Sequence, residues 1–196
     1  MIPVHSPIIY ITTNHDALFD LTQSDEKEQF ITEVYDDDLE DSFGTYVPES
    51  DYWSMDTTNG EGWHRGNWNV LSLIETEMER LTGRIPDLKE VKPGVYAYTI
   101  VLQDAENYQK YRANEFLKQA DQINKVGSNN TNELRTTIDL AHFFVNKISS
   151  SSVKVVGKEN EYDNVRTLNT YLSTVMFQRE PITLYIYTTI QGDYHS

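Results

Sequence analysis

The chain has 196 residues, 38% of them hydrophobic and 24% charged, with a formal net charge of −15 and no cysteine. That length and apolar share suffice for a sizeable core and exclude a wholly disordered chain. The missing cysteine excludes disulfides, a thiol nucleophile and zinc–thiolate sites, and the negative charge repels phosphates, so no direct nucleic-acid binding is expected.

Pro7 to Thr13 (PIIYITT) is β-branched and aromatic and reads as a strand. Asn14, His15 and Asp16 offer caps for a short helix over Ala17–Gln23. Residues 28–35 fit two patterns, a helical stripe through Phe30, Ile31 and Val34 and a strand favoured by Thr32, Val34 and Tyr35; Asp25 and Glu26 suit a first turn, which tips the expectation to a helix. Residues 36–67 hold no sustained period and are punctuated by Gly44, Pro48, Gly60, Gly62 and Gly66, the pattern of a long excursion.

Regularity begins at Asn67. Val70, Leu71, Ile74, Met78 and Leu81 recur at helical spacing with Gly83 as the stop, and Glu75, Glu77 and Glu79 are expected to turn outward. Pro93-Gly94 signals a turn, and Val95–Leu102 (VYAYTIVL) is a strand with both faces able to be covered. Asp104 is expected to cap a long helix reaching Val126, followed by a polar loop. A third regular helix carries Leu134, Ile138, Ala141, Val145 and Ile148 on one stripe. After four serines comes a short strand, Val153–Val156, and Asp163 is expected to cap a helix ended before Pro181. In the last strand, Ile182–Ile190, an aliphatic face packs on helices, while Thr183, Tyr185, Tyr187 and Thr189 form a half-polar face open to sharing.

This order predicts an α+β (mixed α/β) fold: a small mixed sheet of about four strands packed with about four or five helices, plus a long acidic irregular excursion. The chain reads as a single domain, 1–196, with an acidic, aromatic-rich subregion at 1–66 and a regular body at 67–196.

The charge is polarised. Residues 1–64 hold 15 acids and one base, Lys27, whereas residues 65–196 hold 16 acids and 15 bases. The run from Glu28 to His64 contains eleven carboxylates and not one Lys or Arg, with seven large aromatic rings threaded between them. A solvated acidic tail has no use for such rings, which need something to lie against.

The expected enzymatic kits are missing. An EF-hand starting at Asp36 places Asp38 and Glu40 well but needs glycine where Asp41 stands and a bidentate Glu where Val47 stands. Without that motif, Asp36, Asp37, Asp38 and Asp41 read as a protein-contact face or solvated loop ahead of a cation site, so neither metal nor cofactor is expected. The five histidines fall in no zinc spacing, and Glu61-x-x-His64 lies among glycines that deny it a helix. There is no G-x-S-x-G elbow, no G-x-G-x-x-G and no P-loop, since Gly157-Lys158 is followed by Glu159.

The expectation is therefore a non-enzymatic subunit of a larger assembly, docking on a basic protein surface. Its contact set is Tyr35, Asp36, Asp37, Asp38, Glu40, Asp41, Phe43, Tyr46, Tyr52 and Trp53. Composition of this kind suits a bacteriophage virion component, such as a neck, tail-completion or baseplate protein, oligomeric or in a hetero-assembly. The alternative is an acidic nucleic-acid mimic that inhibits a host nucleic-acid-binding protein of restriction or CRISPR type. No apolar run reaches the roughly 18 residues of a membrane span, and no signal peptide opens the chain, so a place inside the cell or in a virion is expected.

Overall fold

A computed structural model of the chain describes residues 5–30, 32, 50–54, 69–126, 131–149, 153–156 and 165–195. Among the described residues seven strands form one sheet: β1 (His5–Thr12), β2 (Ser50–Ser54), β3 (Lys89–Lys92), β4 (Val95–Ile100), β5 (Lys154–Val156), β6 (Val165–Thr167) and β7 (Ile182–His195). Their order is β3-β4-β7-β1-β5-β6, with β2 also on β7. β1 and β5 run parallel, and the other pairs are antiparallel. Among the described residues five α-helices accompany it: α1 (Ser24–Phe30), α2 (Val70–Thr82), α3 (Leu102–Val126), α4 (Thr131–Ser149) and α5 (Leu168–Gln178). The class is α+β with a mixed sheet, as the order of elements predicts. Three short strands, β2, β3 and β6, lie beyond the four legible in the sequence.

β7 organises the sheet because its alternation lets it bury both faces. Leu184 and Ile186 join Ile9 and Ile11 of β1 and Tyr98 and Ile100 of β4 on one face. Against them pack Ile74, Met78 and Leu81 from α2, Ala105 and Tyr108 from α3, and Leu168, Leu172 and Val175 from α5. Gly83 ends α2 at φ 71, and its backbone N–H donates to the Glu79 carbonyl, so glycine stands where a left-handed residue is required.

The opposite face departs from expectation. Tyr187 is 1% exposed and Tyr185 9%, so the tyrosine face of β7 is closed within the chain rather than shared. The lid is the segment after β1. Phe30, fully buried at the end of α1, stands edge-on to Tyr10 (5.5 Å between centroids, 86°) and Phe19 (5.5 Å, 75°), and 5.8 Å from Tyr187. The Phe19 backbone N–H donates to the Tyr187 hydroxyl at 2.9 Å. Lys92, at the β3–β4 turn, fastens the segment by donating to the Leu18 carbonyl (2.7 Å) and to Glu26 (3.0 Å).

Local chemistry moves several boundaries. In place of a helix over 17–23 there is a single 3-10 turn, His15–Ala17, capped by the Asn14 side chain. The Asp20 carboxylate then accepts from the Thr22 backbone N–H and hydroxyl, a turn that delays the helix to Ser24. Asp104 lies inside the first turn of α3, where it accepts from the Val101 backbone N–H at 3.1 Å; Val101 is the cap position, and Asp104 reaches back to it. Asp163 lies outside the described residues; α5 starts later, at Leu168, with Thr167 as its cap residue and β6 directly before it. Glu77 is buried, 3% exposed, instead of facing outward.

Candidate functional site

Of the expected contact set, Tyr35, Asp36, Asp37, Asp38, Glu40, Asp41, Phe43 and Tyr46 lie outside the described residues. Tyr52 and Trp53 lie on β2, which fastens the acidic run to the sheet. β2 pairs antiparallel with the far half of β7, placing Tyr52 opposite Asp193 and Trp53 opposite Gly192, with Ser50 opposite Tyr194 and Ser54 opposite Gln191. The register shifts between Ser50 and Tyr52, so Asp51 is the extra residue of a bulge.

β7 reaches β2 by changing partners along its length. Its first half, residues 182–187, pairs with β4, while residues 191–194 pair with β2 on the same side. Between them β1 advances only from Ile9 to Ile11 while β7 runs from Gln191 back to Ile186, a broad bulge. It is pinned by Thr188, whose backbone N–H and hydroxyl both donate to the Gly94 carbonyl at 2.9 Å. Gly94 sits at φ 73 in the Pro93-Gly94 turn, so the turn legible in the sequence also serves to steer β7. Among the described residues β2 has β7 as its one strand partner, and the ribbon they form carries Asp51 and Asp193 without a Lys or Arg.

Two buried carboxylates sit at the α2–α3 interface. Asp104, 1% exposed, accepts from Arg84 (2.8 Å), from the Tyr98 hydroxyl (3.2 Å) and from the Val101 N–H. Glu77 receives a two-pronged guanidinium from Arg80, at 2.8 and 2.9 Å, and Arg80 donates onward to Tyr111 (2.8 Å). Glu77 holds Arg80 firmly charged, and burial, reinforced by Asp104, pushes the Tyr98 hydroxyl far above the ordinary phenol range. Such acids are engaged by fixed donors, so they tie helices together and are not set up to exchange protons with a substrate.

The remaining polar sites are dispersed. His15 and His142 are exposed on separate elements. Glu26 is held below the ordinary carboxylate range, first by the Asp20 backbone N–H and then by Lys92. Among the described residues no group of three or more His, Cys, Asp or Glu is placed to hold a metal ion. Among those same residues no helix is long and apolar enough to cross a membrane.

What sequence reasoning missed is an apolar surface. Phe116 (43% exposed) and Leu117 (67%) stand out on α3, and Leu140 (51%) and Phe143 (60%) on α4. The signal was present in part: α3 buries Ala105, Tyr108 and Gln119 along one stripe, and Leu117 falls off that stripe by helical rotation, while Phe116 borders it and is still exposed.

The fold and these surfaces define the class: an α+β protein whose sheet includes a strand from within the acidic run and whose helices leave apolar side chains exposed. No protein-family model, no curated protein and no solved structure matches the chain.

Proposed function

We propose that this chain is a non-enzymatic structural subunit of a larger protein assembly, docking through its acidic, aromatic-rich run onto a basic surface of a neighbouring protein. The supporting observation is that the run is both the seat of the charge imbalance and tied to the central strand. Eleven carboxylates and no Lys or Arg lie between Glu28 and His64, and Ser50–Ser54 in their midst is strand β2 on β7. Charges that flank an anchored strand in sequence meet a partner at less ordering cost than those of a free tail, and aromatic rings are the residue type that supplies rigid contact area. A neck, tail-completion or baseplate component of a bacteriophage particle is the assembly type that this composition suits.

The test replaces Asp36, Asp37, Asp38, Glu40 and Asp41 together by Asn or Gln and follows the tagged chain by sedimentation in lysate of its own source cells. The proposal expects the natural chain to travel in a large particle, and the neutralised one to leave it with its melting temperature unchanged. A neutralised chain that still enters the particle contradicts the proposal. Displacement of the natural chain's partner by duplex DNA would instead favour a nucleic-acid mimic.

A further inference from the structure

α3 is 25 residues long, and its outer half carries a second apolar stripe that the core does not use. Ala113, Phe116, Leu117 and Ala120 follow the i, i+3, i+4, i+7 spacing of one helix face, and all four are exposed. The stripe buried along the same helix runs through Ala105, Tyr108 and Gln119; Phe116 borders it, and Ala113, Ala120 and Leu117 turn away from it by helical rotation. On α4, Ile138 (37% exposed) flanks the exposed stripe, whereas Leu140 points to the other side of the hairpin by helical rotation.

We propose that two copies of this chain associate through this α3 stripe, antiparallel about a two-fold axis passing between Phe116 and Leu117, so that the two α3–α4 hairpins form a four-helix bundle. The stripe is self-complementary in that arrangement. Its large residues are central and its small ones peripheral, so Ala113 of one copy meets Ala120 of the other while Phe116 and Leu117 cross the axis. On one flank, Lys110 comes level with Asp121 of the second copy to within about 3 Å along the helix, from 1.5 Å of rise per residue.

Charge points to a second copy as the occupant. Residues 110–149 carry six bases and four acids, whereas the rest of the chain carries ten bases and 27 acids. Nearly all of that excess lies in residues 1–64, with 15 acids and one base, so two copies meeting there press like charge on like; along the hairpin the signs are mixed. The area also fits. With about 200 Å² for each fully exposed large side chain, the stripe and Ile138 offer about 350 Å² of apolar surface per copy. Two such faces with a polar rim come to about 1,200 Å², the lower end of a stable dimer.

This inference is separate from the docking of the acidic run, since a dimer through α3 leaves residues 28–64 unengaged; the five-site neutralised chain is expected to remain a dimer. Light scattering and sedimentation velocity on the purified full-length chain test it. The natural chain should have twice the 22.7 kDa mass of one copy. Leu117→Glu should halve that mass while keeping the helical circular dichroism, and Leu140→Glu, on the other side of the hairpin, should leave it unchanged. Lys110→Glu should weaken the dimer about tenfold, and adding Asp121→Lys should restore it. The charge reversal decides the matter even if Leu117→Glu loses its fold. A natural chain of single mass at every concentration overturns the proposal, as does a folded Leu117→Glu dimer or a Lys110→Glu variant that the second reversal does not rescue.

Discussion

Phe30→Ala removes the ring that closes the tyrosine face of the sheet. Phe30 is fully buried and touches Tyr10, Phe19 and Tyr187, three rings that come from β1, the segment after it and β7. Truncating a buried phenylalanine costs about 3–5 kcal/mol through lost burial and the cavity left behind. The loss of three ring contacts, each worth about 0.5–1.5 kcal/mol, places this site in the upper part of that range. With a urea dependence of about 2–3 kcal/mol/M, the unfolding midpoint should fall by about 1.5 M. The assay is urea denaturation followed by tyrosine and tryptophan fluorescence, with Phe177→Ala as the control. Phe177 is 89% exposed, and its replacement should stay within about 0.5 kcal/mol of the parent. A Phe30→Ala midpoint within about 0.4 M of the parent would show that residues 18–30 do not close the sheet, and the reassignment of that face would fall.

Asp104→Asn leaves the donors Arg84, Tyr98 and Val101 one acceptor short at a site that is 1% exposed, and should cost about 2 kcal/mol in the same assay. Arg179 closes α5 at φ 63, where glycine is unstrained, so Arg179→Gly should stabilise by about 1 kcal/mol, and Gly83→Ala, at φ 71, should destabilise by a similar amount in thermal melts. Burial raises the Tyr187 hydroxyl to about 12, from about 10 in the unfolded chain. The folded state therefore holds its proton longer: its stability is intact below pH about 10 and declines as the pH rises towards about 12. Urea midpoints taken across that range should fall, and Tyr187→Phe should flatten the decline.

The sequence made the strongly periodic elements legible. Val70 to Leu81, with Gly83 as stop, form the helix that their spacing predicts, and VYAYTI and ITLYIYTTI are strands. The short strands were hidden for a physical reason. KEVK in β3 has too few residues to alternate visibly, and it becomes a strand because the Pro93-Gly94 turn folds it back on β4. β6 falls within the expected helix because Val165 shares the spacing of Leu168 and Leu172. The Arg80 fork that accompanies the burial of Glu77 is an i,i+3 pair and was legible as such, but the packing of α3 that buries it was not; the closing of the tyrosine face depends on Phe19 and Phe30 meeting Tyr187 from far along the chain, which local pattern does not encode. Within the candidate docking run, residues 50–54 form β2 where the sequence predicts irregular chain. Its place on β7 could not be read beforehand, since it depends on the bulge that turns β7 from β4 to β2.

The central claim, that the acidic run is a contact surface, is tested most directly by zero-length carbodiimide cross-linking in source-cell lysate followed by mass spectrometry. This chemistry joins a carboxylate to a lysine only where the two already touch. The account predicts links from Asp36, Asp37, Asp38, Glu40 or Asp41 to lysines of one other protein, lost at high salt. Links confined to lysines of the same chain, with those five carboxylates unreacted towards any neighbour, would contradict it.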